Sequence, residues 1–209
     1  MVTSSVNALH QYLKLATAAA HSSLECVLAK RGYFDGREEY IEYLQRFLAF
    51  QDEAESVLDV ALTTETVPDW YFRRRAHLAR TDLETLGAPE RPFPHSSGRL
   101  PNITSAEDVL GIVYVLEGST LGGAYLLKQL APLGITATHG GSYLASYGSD
   151  RGKMWQRFLF TLEGAHLRQA RAESIASAAI ATFAAARYYL TEAEPAVVVA
   201  ATRACSMTV

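Results

Sequence analysis

The stretch VLGIVYVLEGSTLGG, residues 109–123, constrains the fold of this chain more than any other feature. Three of its glycines, Gly118, Gly122 and Gly123, fall within six residues, and apolar residues precede and follow them. Two local structures fit this pattern. One is a buried strand, then a glycine loop, then a helix, which would indicate a nucleotide site. The other is one long helix whose middle is reduced to bare backbone.

The strand–loop–helix interpretation fails at specific positions. A phosphate-binding loop of the form GxxxxG requires a lysine next, but Ala124 follows Gly123. The dinucleotide fingerprint GxGxxG does not occur in the sequence. A nucleophile elbow requires a glycine two residues before its serine, and Glu117 holds that position before Ser119. The sequence therefore favours one continuous helix.

On such a helix, one stripe at i, i+3, i+7 and i+11 contains Gly111, Tyr114, Gly118 and Gly122. Each glycine inside a helix costs roughly 1 kcal/mol relative to alanine, so these glycines require a reason. Glycine allows the backbone to approach another group closely. Tight packing of a second helix is one explanation, and a planar cofactor lying on the helix is the other. This stretch alone leaves both open.

Composition narrows the class of protein. The chain has 209 residues, 49% of them hydrophobic, which is enough for one substantial core, and we expect one domain over 1–209. The net charge of −3 gives no indication of nucleic-acid binding. Cys26 and Cys205 form neither a CxxC motif nor a disulfide framework, which suits a reducing compartment. We recognise no signal peptide and no membrane-length apolar run, and expect a cytoplasmic protein without membrane partners.

Helical periodicity dominates the remaining sequence. Besides the glycine-rich helix, we expect helices at 6–30, 37–62, 70–86, 151–168 and 170–193. The glycine-rich helix follows a proline-containing loop at 87–104, and Thr104 or Ser105 can cap it. Residues 132–150 are expected to form loop with short helical pieces. The sequence therefore predicts an all-α fold, with a core at about 6–193 and an uncertain tail at 194–209.

The first predicted helix carries a second cluster of polar residues. His21 and Glu25 are four residues apart and share a helix face, and Lys14 lies two turns earlier on that face. The neighbours of His21 are small and include Thr17 and Ala18. A histidine among small residues offers a ring nitrogen beneath a flat group, and a carboxylate at its other nitrogen would orient the ring. A lone HxxxE pattern is also explained by polar residues on the exposed face of a helix without any binding role.

Taken together, the two helices suit a planar metallomacrocycle between them, because one offers an axial ligand and the other offers bare backbone. Histidine is a common axial ligand of haem iron. The sequence lacks the CxxCH motif of covalent haem attachment. Non-covalent haem binding is therefore the hypothesis that accounts for both clusters.

Three segments resemble the haem oxygenase family: LKLATAAAHSSLE at 13–25, RRRAHLARTDLETLG at 73–87 and LGIVYVLEGSTLGG at 110–123. They are similar in particular to its bacterial branch, whose members supply biliverdin to bacteriophytochromes or release iron from haem. The resemblance extends over roughly 10–190. It implies a single all-α domain with haem b, both cofactor and substrate, between a proximal and a distal helix.

The resemblance also implies roles for individual residues. His21 matches the proximal iron ligand, and Gly118 and Gly122 match distal glycines that lie over the haem. Lys14 and Tyr114 match contacts to the haem propionates. The expected haem-binding set is Lys14, Thr17, Ala18, His21, Tyr114, Gly118, Gly122, Gly123 and Lys128, and the expected catalytic set is Gly118, Ser119 and Gly122. Ser119 stands where animal enzymes have an aspartate, as in the bacterial branch, so serine, backbone carbonyls or water would organise proton delivery.

The implied activity is cleavage of haem by O₂ to biliverdin, ferrous iron and carbon monoxide. The sequence shows no flavin or nicotinamide motif, so electrons are expected from a ferredoxin or a reductase. A bacteriophytochrome is a candidate acceptor of the biliverdin. Two alternatives stay open at this point. One is a haem-binding or haem-sensing protein of the same fold without turnover, and the other is a helical interaction module whose glycines pack a partner helix.

Overall fold

The computed structural model describes residues 8–94, 99–167 and 170–194, and this part of the chain is helical without any strand. Its α-helices are α1 (Ala8–Ala16), α2 (Ala18–Arg31), α3 (Arg37–Leu58), α4 (Ala61–Thr66), α5 (Ala76–Thr85), α6 (Ala106–Leu130), α7 (Ser142–Ala145), α8 (Arg151–Leu167) and α9 (Ala172–Thr191). Short 3-10 helices occupy Trp70–Arg73, Ala131–Leu133 and Gly148–Asp150. The predicted all-α fold is confirmed.

The glycine-rich stretch is one helix of 25 residues, α6, as the sequence favoured. Ser105 caps it: the Asp108 backbone N–H donates to the Ser105 hydroxyl, and the Asp108 carboxylate accepts from the Ser105 N–H in return. Every residue from Val109 to Glu117 is buried, so the first half of α6 is surrounded by protein. The segment Ala106–Leu133 is long and apolar enough to span a membrane, but 61% of its most apolar window is buried inside the helical bundle.

α9 organises the packing around this central helix. It makes its most extensive contact with α6 and also packs against α1, α2 and α3. Its buried face is rich in alanine, including Ala178 and Ala179. Because small side chains bring helix axes together, α9 lies close to α6 and forms a common wall for α2 and α6.

The first predicted helix, 6–30, is two helices in the structure. Thr17 interrupts it with φ −95° and ψ −3°, and its buried hydroxyl donates to the Leu13 carbonyl at 2.8 Å. α1 buries Leu9 and Leu13, whereas α2 has no buried residue. The second half of this segment therefore presents a face to open space that a helix of its length would ordinarily bury.

The second and third predicted helices are also divided. Within 37–62, α3 ends at Leu58, and α4 begins at Ala61 and continues beyond the predicted segment to Thr66. The segment 70–86 forms a 3-10 helix followed by α5. Two of the three consecutive arginines in that segment, Arg73 and Arg75, are buried. The helices expected at 151–168 and 170–193 are confirmed as α8 and α9. Beyond Glu194 the predicted uncertain tail lies outside the described residues.

Candidate functional site

α2 and α6 both pack against α9, and no residue of α2 is buried, so we infer a candidate cleft between α2 and the middle of α6. The buried Tyr114 phenol of α6 lies beside the Thr17 side chain at the junction of α1 and α2, which brings the two sides together. His21 follows Thr17 by four residues, and Gly118 follows Tyr114 by four residues. Each therefore lies about one helix turn beyond the contact. The contact between Thr17 and Tyr114 thus marks the closed end of the cleft, next to the two most strongly predicted site residues.

His21 has the geometry of a ligand oriented by a neighbour. Its Nδ1 lies 3.4 Å from the Glu25 Oε2, and the two side chains are 57% and 65% exposed. The Phe183 ring of α9 contacts the imidazole edge-on, with centroids 5.7 Å apart. Because Glu25 engages Nδ1, Nε2 is the nitrogen left to bind a metal.

Thr17 and Ala18 have different environments beside His21. Thr17 is 3% exposed and supports the break between α1 and α2, whereas Ala18 is exposed. His10, an alternative ligand by position, is half-buried. Its ring packs edge-on against Tyr114 and Trp155, with centroids 6.3 and 5.5 Å away. Burial, followed by the charge of Lys14, lowers the pKa of His10. His21 is therefore the accessible histidine of the two.

The glycines of α6 divide into two pairs. A side chain at Gly118 or Gly122 would meet no other atom within 4 Å. A side chain at Gly111 would collide with Ala178 and with the α9 backbone, and one at Gly123 would collide with the Leu144 carbonyl of α7. Of the two explanations left open for the glycine stripe, helix packing therefore applies to Gly111. Gly123, predicted to bind haem, is buried against α7 and also serves packing, because its missing side chain makes room for Leu144.

Ser119 lies at the border between the open and packed sides of α6. It is rotated about 100° from Gly118 around the helix axis, on the side of Gly122. Its hydroxyl donates to the Leu116 carbonyl at 2.7 Å. A cavity of about 20 Å³ adjoins it, lined by Tyr43, Arg75, Ser119, Thr120, Gly123, Leu126, Tyr143 and Leu144. This volume is enough for one water molecule.

A buried polar network lies behind this cavity, and the sequence analysis did not find it. The Glu55 Oε1 accepts from the Arg75 and Ala76 backbone N–H groups, at 2.6 and 2.9 Å, and from the Gln51 amide at 2.9 Å. The Tyr143 hydroxyl donates to the other end of the Gln51 amide at 3.2 Å. Burial raises the pKa of Tyr143, so the phenol keeps its proton. These residues come from α3, α5 and α7, and no local motif unites them.

A second buried network braces the residue that precedes Gly118. The Arg73 guanidinium is fully enclosed and pairs with Glu117 of α6 and with both carboxylate oxygens of Asp69. The Tyr147 hydroxyl donates to the other Glu117 oxygen at 2.8 Å, and burial raises the pKa of that phenol. The pairs fix the rotation of α6 about its axis, since Glu117 faces away from the cleft. The arginine-rich sequence was the available signal, but its spacing did not reveal that its charges are buried.

The residues predicted at the propionate edge are not brought together by a direct contact. Lys14 lies exposed in the last turn of α1, and Lys128 lies exposed in the last turn of α6. Tyr114 is only 8% exposed, because His10 and Trp155 cover its ring, and burial raises the pKa of its phenol. A bond from Tyr114 to a propionate would therefore require the phenol to become accessible.

The chemistry of the cleft suits a metal that brings its own equatorial ligands. Among the described residues, no group of three or more His, Cys, Asp and Glu side chains could hold a bare metal ion. The cleft instead offers one exposed imidazole and two glycines whose missing side chains leave open space. A planar macrocycle with bound iron fits this combination.

Comparisons with known proteins agree with this geometry. The family model of heme oxygenase matches residues 7–192. The chain is 31% identical to heme oxygenase PigA of Pseudomonas aeruginosa over 163 residues, covering 78% of this chain and 81% of the relative. It is 31% identical to a heme oxygenase of Xanthomonas campestris pv. campestris over 150 residues, covering 71% and 86%.

A solved structure is also similar. The fold matches a heme oxygenase from Neisseria meningitidis, determined with NO and CO bound, with a TM-score of 0.77 and 26% identity. The match covers 87% of this chain and 89% of the other. The relatives described here are named as heme oxygenases, and they give no support to a haem sensor or a helical interaction module.

Proposed function

This chain belongs to the haem oxygenase family, and we propose that it holds its substrate between His21 of α2 and the open glycines of α6. It is an enzyme of haem cleavage, which yields biliverdin, ferrous iron and carbon monoxide from haem, O₂ and external electrons. Bound haem supplies both the iron that activates O₂ and the ring that is oxidised. The protein contributes positioning and proton supply.

The observation that carries this placement is the open space at Gly118 and Gly122. The other two glycines of α6 are explained by close packing on α9 and α7, but these two are not. Each destabilises the helix by roughly 1 kcal/mol, and no contact among the described residues offsets this cost. A flat substrate against the bare backbone supplies the missing reason, because any side chain there would hold it away from the helix.

His21 is the proposed iron ligand, through Nε2. The Glu25 carboxylate, 3.4 Å from Nδ1, would fix the tautomer and make the imidazole a stronger donor to iron. The edge contact with Phe183 limits rotation of the ring. Thr17 and Ala18 are proposed to support the substrate from the same side, since both are small and adjoin His21 in sequence.

Ser119 is proposed to organise proton delivery. Its hydroxyl lies between the bare backbone of the cleft and the small cavity lined by Arg75 and Tyr143. The Leu116 carbonyl, to which Ser119 donates, also accepts from the Arg75 guanidinium at 2.5 Å. That carbonyl therefore keeps a strong partner when Ser119 turns away, and the Ser119 proton is available to the cleft.

Lys14, Tyr114 and Lys128 remain proposed contacts to the haem propionates. Lys14 and Lys128 are exposed cations, and an exposed pair with a carboxylate contributes about 1 kcal/mol or less. They are expected to orient the substrate more than to hold it. Tyr114 is proposed as a hydrogen-bond donor to a propionate when haem binds.

Further partners are proposed from the family resemblance. We expect a cytoplasmic enzyme of a single domain that receives electrons from a ferredoxin or a reductase and has no flavin or nicotinamide site of its own. A bacteriophytochrome is a proposed acceptor for the biliverdin. Reconstitution with each purified donor, and transfer of the pigment to an apo-phytochrome, would test these pairings.

The direct test is to add hemin to the purified protein and then a reductant under air, and to identify the pigment by absorption and chromatography. We expect a Soret band on hemin addition and biliverdin after reduction. A matched sample without reductant should retain the haem spectrum. Haem binding without pigment would indicate a haem-binding or haem-sensing protein, and the absence of any Soret change would indicate an interaction module.

A further inference from the structure

We propose that Glu55 is a positioning residue that sets the direction of hydrogen bonding at the distal side of the cleft, acting through Gln51 and Tyr143. Glu55 and Gln51 belong to α3 and Tyr143 to α7. None of them was singled out by the sequence, and neither Glu55 nor Gln51 lines the cavity beside Ser119. The inference rests on the proposed function, because it assigns the cavity a role in proton supply.

Glu55 is held as a pure acceptor. It is 4% exposed, and its Oε1 accepts from the backbone N–H groups of Arg75 and Ala76. Its Oε2 faces the Arg74 guanidinium at 3.4 Å. Two backbone donors at Oε1 leave no position there for a donated proton. Any further group that approaches this oxygen must be a donor.

This requirement determines the orientation of the Gln51 amide. Gln51 is fully buried, and its NH₂ group donates to Glu55 Oε1 at 2.9 Å. The reverse orientation would bring a carbonyl oxygen against a carboxylate oxygen that has no proton to offer. The Gln51 carbonyl must then point the other way, toward Tyr143.

The Gln51 carbonyl in turn determines the direction in which the Tyr143 hydroxyl hydrogen points. A phenol has one hydrogen, and the Tyr143 hydroxyl donates it to Gln51 Oε1 at 3.2 Å. The lone pairs of the Tyr143 oxygen remain for the cavity, where they can only accept. The sequence of contacts from Glu55 therefore makes Tyr143 an acceptor on the side of Ser119.

The cavity contains a donor that complements this acceptor. Arg75 lines it, and its Nε–H is buried without a hydrogen-bond partner among the described residues. A single water of the size that this cavity admits would accept from Arg75 and donate to Tyr143, which leaves its second hydrogen for the Ser119 oxygen. With Ser119 accepting from such a water, the Ser119 proton would be available to the cleft.

If Tyr143 donated into the cavity instead, this arrangement would fail. The water would accept from both Arg75 and Tyr143, and of its own two hydrogens only one would have an acceptor, at Ser119. An unpaired buried hydrogen costs about 1–3 kcal/mol, so the water would bind weakly or reorient. Glu55 prevents this reversed orientation of the Tyr143 hydroxyl because it holds the Gln51 carbonyl toward Tyr143.

The test compares Glu55→Leu, which removes the acceptor, with Glu55→Gln, which keeps an oxygen for the two backbone donors. The readout in the apoprotein is the tyrosine Fermi doublet of the Raman spectrum, which distinguishes donating from accepting phenols. Each variant is measured beside its own Tyr143→Phe partner, so that the difference isolates Tyr143 from the other tyrosines. Asp52→Asn, on the same helix and paired with Arg80 outside the network, is the control.

We expect a donor signature for Tyr143 in wild type, Glu55→Gln and Asp52→Asn, and a shift toward the acceptor signature in Glu55→Leu. Gln51→Leu, which removes the acceptor of Tyr143 while retaining Glu55, should produce the same shift and serves if Glu55→Leu does not fold. In the haem–carbon monoxide complex, the C–O stretch should move in the same two variants. An unchanged Tyr143 doublet in folded Glu55→Leu or Gln51→Leu would overturn the proposal. A failure of the proposed function would instead show as absent haem uptake, with the apoprotein doublets unaffected.

Discussion

The four glycines of α6 form two pairs that differ in what replaces the missing side chain. Gly111 and Gly123 contact protein: the first accommodates α9 and the second the Leu144 carbonyl of α7. Gly118 and Gly122 contact nothing within 4 Å of where a side chain would begin. All four lie on one helix and have the same propensity cost, so only their surroundings distinguish a structural glycine from a substrate-facing one.

The difference shows why a glycine pattern alone does not reveal a binding site. Helix packing and substrate binding both need close approach to the backbone, and both remove the same atoms. The two uses predict opposite results when a side chain is restored. At a packed glycine the side chain collides with the fold, whereas at an open glycine it collides only with the substrate.

The largest expected effect is the loss of biliverdin in Gly118→Leu. The variant should fold and take up hemin, because His21 and the remaining cleft are intact, but the new side chain occupies the space for oxygen and its waters. Paired hemin titration and single-turnover absorbance beside wild type measure the two properties. Full biliverdin yield from this variant would contradict the assignment of Gly118 to the distal face.

His21→Ala tests whether Gly118 and Gly122 face a haem whose iron is bound by His21. The variant should lose the histidine-ligated ferrous spectrum, although the apolar walls retain some haem. The matched control is His10→Ala, which removes a half-buried ring away from the proposed iron site and should keep that spectrum. An unaltered ferrous spectrum in His21→Ala would move the ligand elsewhere, with His10 the next candidate.

Substitutions at Gly111 and Gly123 should lower the stability of the protein rather than change the reaction directly. Gly111→Leu forces a side chain into Ala178 and the α9 backbone, and overpacking of this kind costs typically about 1–3 kcal/mol. Urea denaturation of the apoprotein measures the free energy of unfolding. Gly123→Leu should behave similarly through Leu144. Equal stability of Gly111→Leu and Gly118→Leu would remove the distinction between the two pairs.

Gly122→Ala should stabilise the apoprotein. The methyl group meets no atom, so the variant gains the helix propensity of alanine, about 1 kcal/mol or slightly less. The same denaturation experiment checks this, with Gly123→Ala as the destabilised counterpart. Destabilisation by Gly122→Ala would show that a neighbour approaches this position after all, and would place Gly122 with the packed pair.

The smallest expected effect is at the edge of the cleft. Lys14→Ala removes an exposed charge that contributes about 1 kcal/mol or less to haem binding, so affinity should change little. The seating of haem over Gly118 and Gly122 should change more. The ratio of biliverdin isomers and the haem NMR pattern measure it. If both match wild type, Lys14 does not contact a propionate.

The structural features that the sequence predicted are those that depend on residues close together in the chain. The choice of one long helix for 109–123 rested on residues missing from nucleotide motifs, and it is confirmed. Of the two predicted caps, Thr104 and Ser105, the structure has Ser105. The pairing of His21 with Glu25 followed from a four-residue spacing. The division of the first helix at Thr17 was not predicted, because no glycine or proline marks it in the sequence. Thr17 lies beside Tyr114, almost a hundred positions away in the chain.

The sequence by itself determined the class of fold, the continuity of α6, and the placement of one histidine and several glycines on two helices. These follow from periodicity, propensity and capping, which act over a few residues. Only the tertiary structure decided which glycines face the cleft, and that Arg73 and Arg75 are buried beside Glu117 and Tyr143. The reason is physical: what a missing side chain makes room for, and which carboxylate stabilises a buried cation, depend on helices brought together from distant parts of the chain.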